Sequence, residues 1–298
     1  MTTVAVLGMH RSGTSALARA LNRMGATLGD ARDLDHNWEH TELRGINTRM
    51  LAKLGGAWDG PPALEPGWER DPRLALLGDY ADTLLQPLLA RSPFAWKDPR
   101  TCLTLPWWLP RLGDALVVFV YRHPEEVVGS LHARDGFGPA QGLALWELYN
   151  VAALTNARGL PVYALRYDEL LREPVAACDR VRAALAQWGV ALGPGADGAV
   201  ELDAAKARNR SASSELSHPA ATPSQRAVWQ LLGTLDGAHD VFAPPSFPAP
   251  DAASTELLAA VASRRACERE LHRVTHSRRE LATLFARRAR ESVSRRKP

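Results

Sequence analysis

Two segments of this chain carry residue types suited to gripping an oxyanion. The first is Gly8-Met9-His10-Arg11-Ser12-Gly13-Thr14-Ser15, directly after an apolar run and directly before a helical pattern. Backbone N–H groups of such a turn converge on one point, and the start of the following helix adds a favourable field. Gly8 and Gly13 permit the tight turn, while His10, Arg11, Ser12, Thr14 and Ser15 bring polar side chains to it. The second segment runs Val120-Tyr121-Arg122-His123-Pro124-Glu125-Glu126 and on to Ser130. Pro124 suits a first helical position and the two glutamates suit a first turn, which sets Arg122 at the carboxyl end of a strand. Open α/β sheets bind their ligands at that edge. Ser130 falls two turns into the helix, so sharing one phosphate requires Arg122 to reach back across the helix start. A surface ion pair between Arg122 and a glutamate is the plainer alternative.

What the first loop lacks narrows its chemistry. Nucleotide hydrolases carry G-x-x-x-x-G-K-[ST], with the lysine on the β and γ phosphates. Here that position is Thr14, and the cation has moved into the loop as Arg11. No apolar strand ends in the aspartate that such enzymes use with Mg²⁺, and the most apolar strand ends in Tyr121-Arg122. Protein cations rather than a metal are expected to neutralise the ligand.

These residues need a sheet to hold them. Thr3–Leu7, Phe94–Trp96, Ala115–Tyr121 and Pro161–Leu165 read as buried parallel strands. Thr14–Met24, Leu74–Leu89, Gly142–Ala157 and Val175–Trp188 read as helices between them. The alternation predicts an α/β fold, a P-loop-type parallel sheet flanked by helices. Gly60–Pro72 and Gly193–Pro219 read as irregular loops, the second holding Arg208 and Arg210. We expect a domain over 1–242, a Pro-rich linker over 243–253 and a basic helix over 254–298, regular from Ser254 to Arg290. Two arginines, Arg264 and Arg278, interrupt its heptad seam, which suits a peripheral helix better than a coiled coil. Contact with a partner or a second copy through this helix remains open.

Composition closes other doors. The chain has 298 residues, 46% of them hydrophobic and 23% charged, the balance of a soluble globular protein. Three scattered cysteines argue against a disulfide framework and a cysteine metal site, and they fit a reducing cytoplasm. The first strand begins too early to leave room for a signal peptide, and no apolar run is long enough to span a membrane. The net charge of +3 conceals an asymmetry: residues 264–298 hold 12 Lys/Arg against 4 Asp/Glu, the rest 24 against 29. A mildly acidic body does not suit nucleic acid.

Taken in order, the loop His10-Arg11-Ser12-Gly13-Thr14-Ser15, the pair Arg122 and Ser130, and the stretch Arg166-Tyr167-Asp168-Glu169-Leu170 resemble the sulfotransferases that use 3′-phosphoadenosine-5′-phosphosulfate. The resemblance covers Thr3 to about Trp188. It is nearest to a bacterial branch with the Gly-Met-His-Arg-Ser-Gly-Thr-Ser loop, many of whose members act on carbohydrates. It implies that the loop grips the 5′-phosphosulfate, that Arg122 and Ser130 hold the 3′-phosphate, and that Tyr167 lies near the adenine. The family's tyrosine motif runs Tyr-Glu-Asp-Leu, whereas the order here is Tyr-Asp-Glu-Leu.

The same resemblance assigns Lys97, in Trp96-Lys97-Asp98-Pro99-Arg100, to the bridging or leaving oxygen. Arg100 could hold sulfate, an acidic substrate group or Asp98. A catalytic base is implied in Asn37-Trp38-Glu39-His40-Thr41-Glu42, with Glu39 first, His40 second and Glu42 third. Glu39 could instead cap a helix starting near Thr41 or pair with Arg44. Trp38, Trp58, Trp68, Trp107 and Trp108 fall on the implied acceptor side, where sugar stacking competes with core packing. The implied acceptor is a hydroxyl, on a carbohydrate or glycosylated metabolite, and no metal is called for. A P-loop kinase for a nucleotide or small molecule and a non-catalytic anion-binding module are the competing readings.

Overall fold

The computed structural model describes residues 2–199 and 215–294, with side chains as far as 275. Arg208, Arg210 and most of the second irregular stretch lie outside them. Strands β1 (Thr2–Leu7), β2 (Phe94–Lys97), β3 (Asp114–Tyr121), β4 (Val162–Arg166) and β5 (Gly237–His239) form one sheet in the order β2-β1-β3-β4-β5. The first four are parallel, and β5 runs antiparallel to β4. The architecture is therefore α/β, a mainly parallel sheet with helices on both faces.

Alternation along each strand explains the two layers. Ala5 and Leu7 of β1 and Val117, Phe119 and Tyr121 of β3 face one core. Val4, Val6, Leu116, Val118 and Val120 face the other. Every residue of β3 after Asp114 is buried, so its unbroken apolar run reflects cover on both sides. Helices α1 (Thr14–Arg23) and α8 (Pro174–Gln187) supply the second core, while α2 (Thr41–Lys53), α3 (Ala75–Leu89), α4 (Thr101–Leu112), α5 (Pro124–Asp135) and α6 (Pro139–Asn156) supply the first.

Some elements depart from the sequence reading. The α4 segment contains Pro106 and Pro110, which speak against a helix. Pro106 cannot donate to the carbonyl of Cys102, and Asn156 Nδ2 donates to that oxygen at 2.8 Å instead. Strand β5 is a three-residue Gly-Ala-His edge with no apolar run to reveal it. Short helices α7 (Tyr167–Arg172) and α9 (Gly195–Ala199) and the longer α10 (Pro223–Leu232) complete the body. The final helix α11 spans Ala252–Ser294, and Leu258, Val261 and Ala262 in its early turns are buried. Among the described residues, no helix is long and apolar enough to cross a membrane.

Candidate active site

The glycine-rich turn joins β1 to α1, and its glycines are there for space as well as for torsion. Gly13 has φ 97°, and a Cβ on it would sit 2.0 Å from Cδ2 of Tyr167. The tyrosine ring therefore lies directly on the loop backbone. A Cβ on Gly8 would meet the Val120 carbonyl at 2.3 Å. Arg11 also adopts a positive φ of 70°, an uncommon state for a residue with a side chain. No side chain caps the start of α1, so its first amides point outward without a carbonyl partner along the helix.

The loop opens on a cavity of about 480 Å³ at the carboxyl edge of the sheet. Seven Lys and Arg side chains line it against two carboxylates, Glu39 and Asp135. His10, Arg11, Gly13, Thr14, Ser15, Glu39, Lys97, Arg122 and Tyr167 all reach it. Ser12 is fully buried beneath the loop, with its hydroxyl unpartnered.

The expected clamp of Arg122 with Ser130 takes a different form. Ser130 Oγ accepts from Arg11 Nε at 2.8 Å and is not part of the cavity lining. Arg122 donates from Nε to Glu126 at 2.7 Å and from Nη1 to the Arg11 carbonyl at 3.1 Å. One helical turn separates Arg122 and Glu126, so the ion pair forms locally, whereas Ser130 faces the loop. Arg122 still reaches the ligand side, with its guanidinium carbon 5.0 Å from the Tyr167 ring centre. Burial raises the Tyr167 pKa, opposed by Arg122, Arg19 and Arg11.

Arg19 was not evident from the motif. It lines the cavity one turn beyond Ser15 on the same face of α1, and its Nε is buried with no hydrogen-bond partner. Its i+4 spacing from Ser15 was the available signal. Neither Arg11 nor Arg19 forms an ion pair among the described residues. Burial, and then the neighbouring Arg134 and Arg122, lower the pKa of Arg11 from its ordinary value.

Across the cavity, Lys97 ends β2 and donates to three acceptors: Glu39 Oε1 at 2.8 Å, the Asn37 carbonyl at 2.9 Å and Ser15 Oγ at 3.1 Å. Arg100 pairs with Asp98 at 2.8 Å and with Glu39 Oε2 at 3.4 Å. Asn47 on α2 is wholly buried and donates to Asp98 at 2.8 Å, which fixes the turn after β2. Burial and then Asp98 raise the Glu39 pKa, against the pull of Lys97 and Arg100. Burial disfavours charge on Arg100, but Asp98 and Glu39 outweigh it and raise its pKa.

The three candidate bases separate cleanly. Asp35 Oδ1 accepts the backbone N–H groups of Asn37 and Glu39 at 2.8 and 3.0 Å, a local turn that presents Glu39 to the cavity. Trp38 between them has φ 63°. Arg44 pairs with Asp35, not Glu39, and the residue at the cap of α2 is His40. The His40 ring lies against Gly29 and lines a second void of about 10 Å³ rather than the large cavity. Glu42 accepts a hydrogen bond from Tyr80 at the exposed surface.

His10 turns its ring toward Trp58 and Tyr149, with centroids 4.5 and 5.5 Å away. Its Nε2 is buried without a partner. Burial, followed by Arg100, Arg134, Lys97 and Arg11, holds its pKa well below 6.5. Of the five tryptophans singled out in the sequence, Trp58 alone lines the cavity. Trp107 and Trp108 belong to the core.

No family model matches the sequence, and no curated protein matches it. Among solved structures, the chain is similar to the sulfotransferase domain from the curacin biosynthetic pathway, at 14% identity and a TM-score of 0.42 over 86% of this chain and 95% of that one. It is also similar to the sulfotransferase domain from the Synechococcus PCC 7002 olefin synthase, at 17% identity and a TM-score of 0.43 over 87% of this chain and 94% of that one.

Proposed function

We propose that the chain is a sulfotransferase that moves a sulfuryl group from 3′-phosphoadenosine-5′-phosphosulfate to a hydroxyl of a carbohydrate or glycosylated metabolite. One observation carries the reading: among the described residues, Arg11 and Arg19 face a common cavity without acidic partners, around the uncapped start of α1 and the Tyr167 ring. Cations that line a cavity without counter-charge favour a ligand that brings its own anions. Thr14 in the place of the nucleotide-hydrolase lysine supports the sulfated over the triphosphate donor.

In this reading, Arg11, Arg19, Arg122 and the amides of residues 13–15 bind the donor's anionic groups, with Ser130 bracing Arg11 and Ser15 bonded to Lys97. Tyr167 offers a ring face to the adenine. The acceptor hydroxyl attacks sulfur in line as the bond from sulfur to the 5′-phosphate oxygen breaks. Its proton passes to the Glu39 carboxylate, and adenosine 3′,5′-bisphosphate leaves. Lys97, bonded to both Ser15 and Glu39, spans the two sides and stabilises negative charge on the departing oxygen. Arg100 holds the second Glu39 oxygen. Trp58 at the cavity wall and the likeness of the Gly8–Ser15 loop to carbohydrate-modifying enzymes support the acceptor class.

Calorimetry with adenosine 3′,5′-bisphosphate, without added metal, tests the donor assignment, and transfer of labelled sulfate to sugar, phenol and peptide acceptors tests the reaction. Binding and transfer to a sugar are expected. No affinity for the bisphosphate, with Mg²⁺-dependent protection by ATP in its place, would turn the assignment to a kinase.

A further inference from the structure

The cavity wall that carries His10 and Trp58 is not built by the sheet. Trp58 and Asp59 sit in a turn closed by a 2.8 Å hydrogen bond from the Ala57 N–H to the Gly60 carbonyl. Two side chains of α6 hold that turn from one side: Tyr149 donates to the Trp58 carbonyl at 2.7 Å and Gln141 to the Asp59 carbonyl at 3.2 Å. The other side is held by α11. A Cβ on Gly60 would lie 2.7 Å from the backbone nitrogen of Ala262, so the turn and the helix touch backbone to backbone. Arg265 donates to Asp59 Oδ2 from Nε at 2.9 Å and again from Nη2.

Asp59 is 2% exposed, and among the described residues Arg265 is its one ion-pair partner, 206 positions away in the chain. Arg265 is further braced by Glu268 at 2.8 Å. From the turn, contact passes inward: the Trp58 ring lies 4.5 Å from His10 and 5.6 Å from Phe137, with the Arg134 guanidinium carbon 5.3 Å from its centre. We propose that Arg265 is a positioning residue of the site, acting through Asp59 to fix Trp58 and so the His10 ring on the wall where the acceptor binds.

Calling this the acceptor wall rests on the sulfotransferase reading; the mechanical link does not. A carboxylate buried to this degree needs its cation, and losing Arg265 strands the charge. The stranded Asp59 draws its turn toward water, and Trp58 moves with it. The basic helix then has a role at the site that is independent of any partner. Its first turns close the wall.

The test uses the full chain with Arg265→Ala, Arg265→Lys, Asp59→Asn and, as a control on an exposed neighbouring charge, Arg264→Ala. The His10 imidazole is followed by NMR titration, assigned by its loss in His10→Gln. The charged groups acting on it are Arg11, Lys97, Arg100 and Arg134, none of which is altered. Arg265→Ala is expected to move the His10 midpoint upward toward the ordinary range, Arg265→Lys to recover part of the shift, and Arg264→Ala to leave it in place. In turnover, Arg265→Ala is expected to raise the acceptor KM by about tenfold with bisphosphate affinity held. Asp59→Asn strands no charge and serves if Arg265→Ala does not fold, with a smaller shift in the same direction expected.

An unmoved His10 midpoint in both Arg265→Ala and Asp59→Asn overturns the proposal, as does a fall in melting temperature with neither midpoint nor KM altered. If the wild-type chain ignores the bisphosphate, the donor reading fails, while the His10 titration still decides this one.

Discussion

The two walls of the cavity treat charge differently. On the loop side, Arg11 and Arg19 line the cavity with no carboxylate paired to either among the described residues, while Arg122 beside them pairs with Glu126. On the far side, each cation has an acid: Lys97 with Glu39, Arg100 with Asp98 and Arg44 with Asp35. A guanidinium that faces a cavity without counter-charge is open to an incoming anion, so on the sulfotransferase reading that wall suits binding. A compensated network keeps its geometry with or without ligand, so the far wall is built for positioning. On the sulfotransferase reading, the difference assigns ligand charge to one wall and proton transfer to the other.

Removing cations should separate the walls most sharply. Arg11→Ala is expected to weaken adenosine 3′,5′-bisphosphate binding by roughly ten- to hundredfold, and Arg19→Ala to act in the same direction, by calorimetry. Arg100→Ala, which breaks the far network, should change that affinity much less. Equal losses at Arg11 and Arg100 would erase the contrast between the walls.

A smaller effect tests the far wall alone. Glu39→Gln should keep bisphosphate affinity and lower turnover by at least about tenfold. If the Glu39 carboxylate is the base, its raised pKa places the acid-side midpoint of kcat/KM above 4.5. His40→Gln should leave turnover unchanged, since His40 faces the other void. Full activity in Glu39→Gln would remove the base from this wall.

The smallest effect concerns stability. Burial lowers the pKa of His10, His40 and His123 below 6.5. Above that value these rings are neutral in both the folded and unfolded chain. As the pH falls below it, the unfolded chain takes up protons that the buried rings resist, and stability drops through the window down to the folded values. Thermal melts between neutral and mildly acid pH should show this decline, reduced in His10→Gln.

Residue patterns reached some of these features and not others. The β3 run from Ala115 to Tyr121 is apolar because both its faces are covered, a condition the sequence records directly. The loop from Gly8 to Ser15 is equally plain, since its glycines answer local demands of torsion and space. Helix α4 was hidden by Pro106 and Pro110, because the bond that rescues the Cys102 carbonyl comes from Asn156, far along the chain. Ser130 was expected beside Arg122, but it accepts from Arg11 instead, because Arg122 is drawn to Glu126 one turn away.

By itself, the sequence determined the parallel α/β plan, the glycine-rich turn between β1 and α1, and the threonine that stands there in place of a lysine. These follow from short-range rules of period, torsion and residue type. Tertiary structure alone decided which cations are compensated, which of Glu39, His40 and Glu42 reaches the cavity, and that a helix beginning at Ala252 braces the turn holding Trp58. Charge compensation is set by distances of a few ångströms between residues far apart in the chain, and no local pattern encodes those distances.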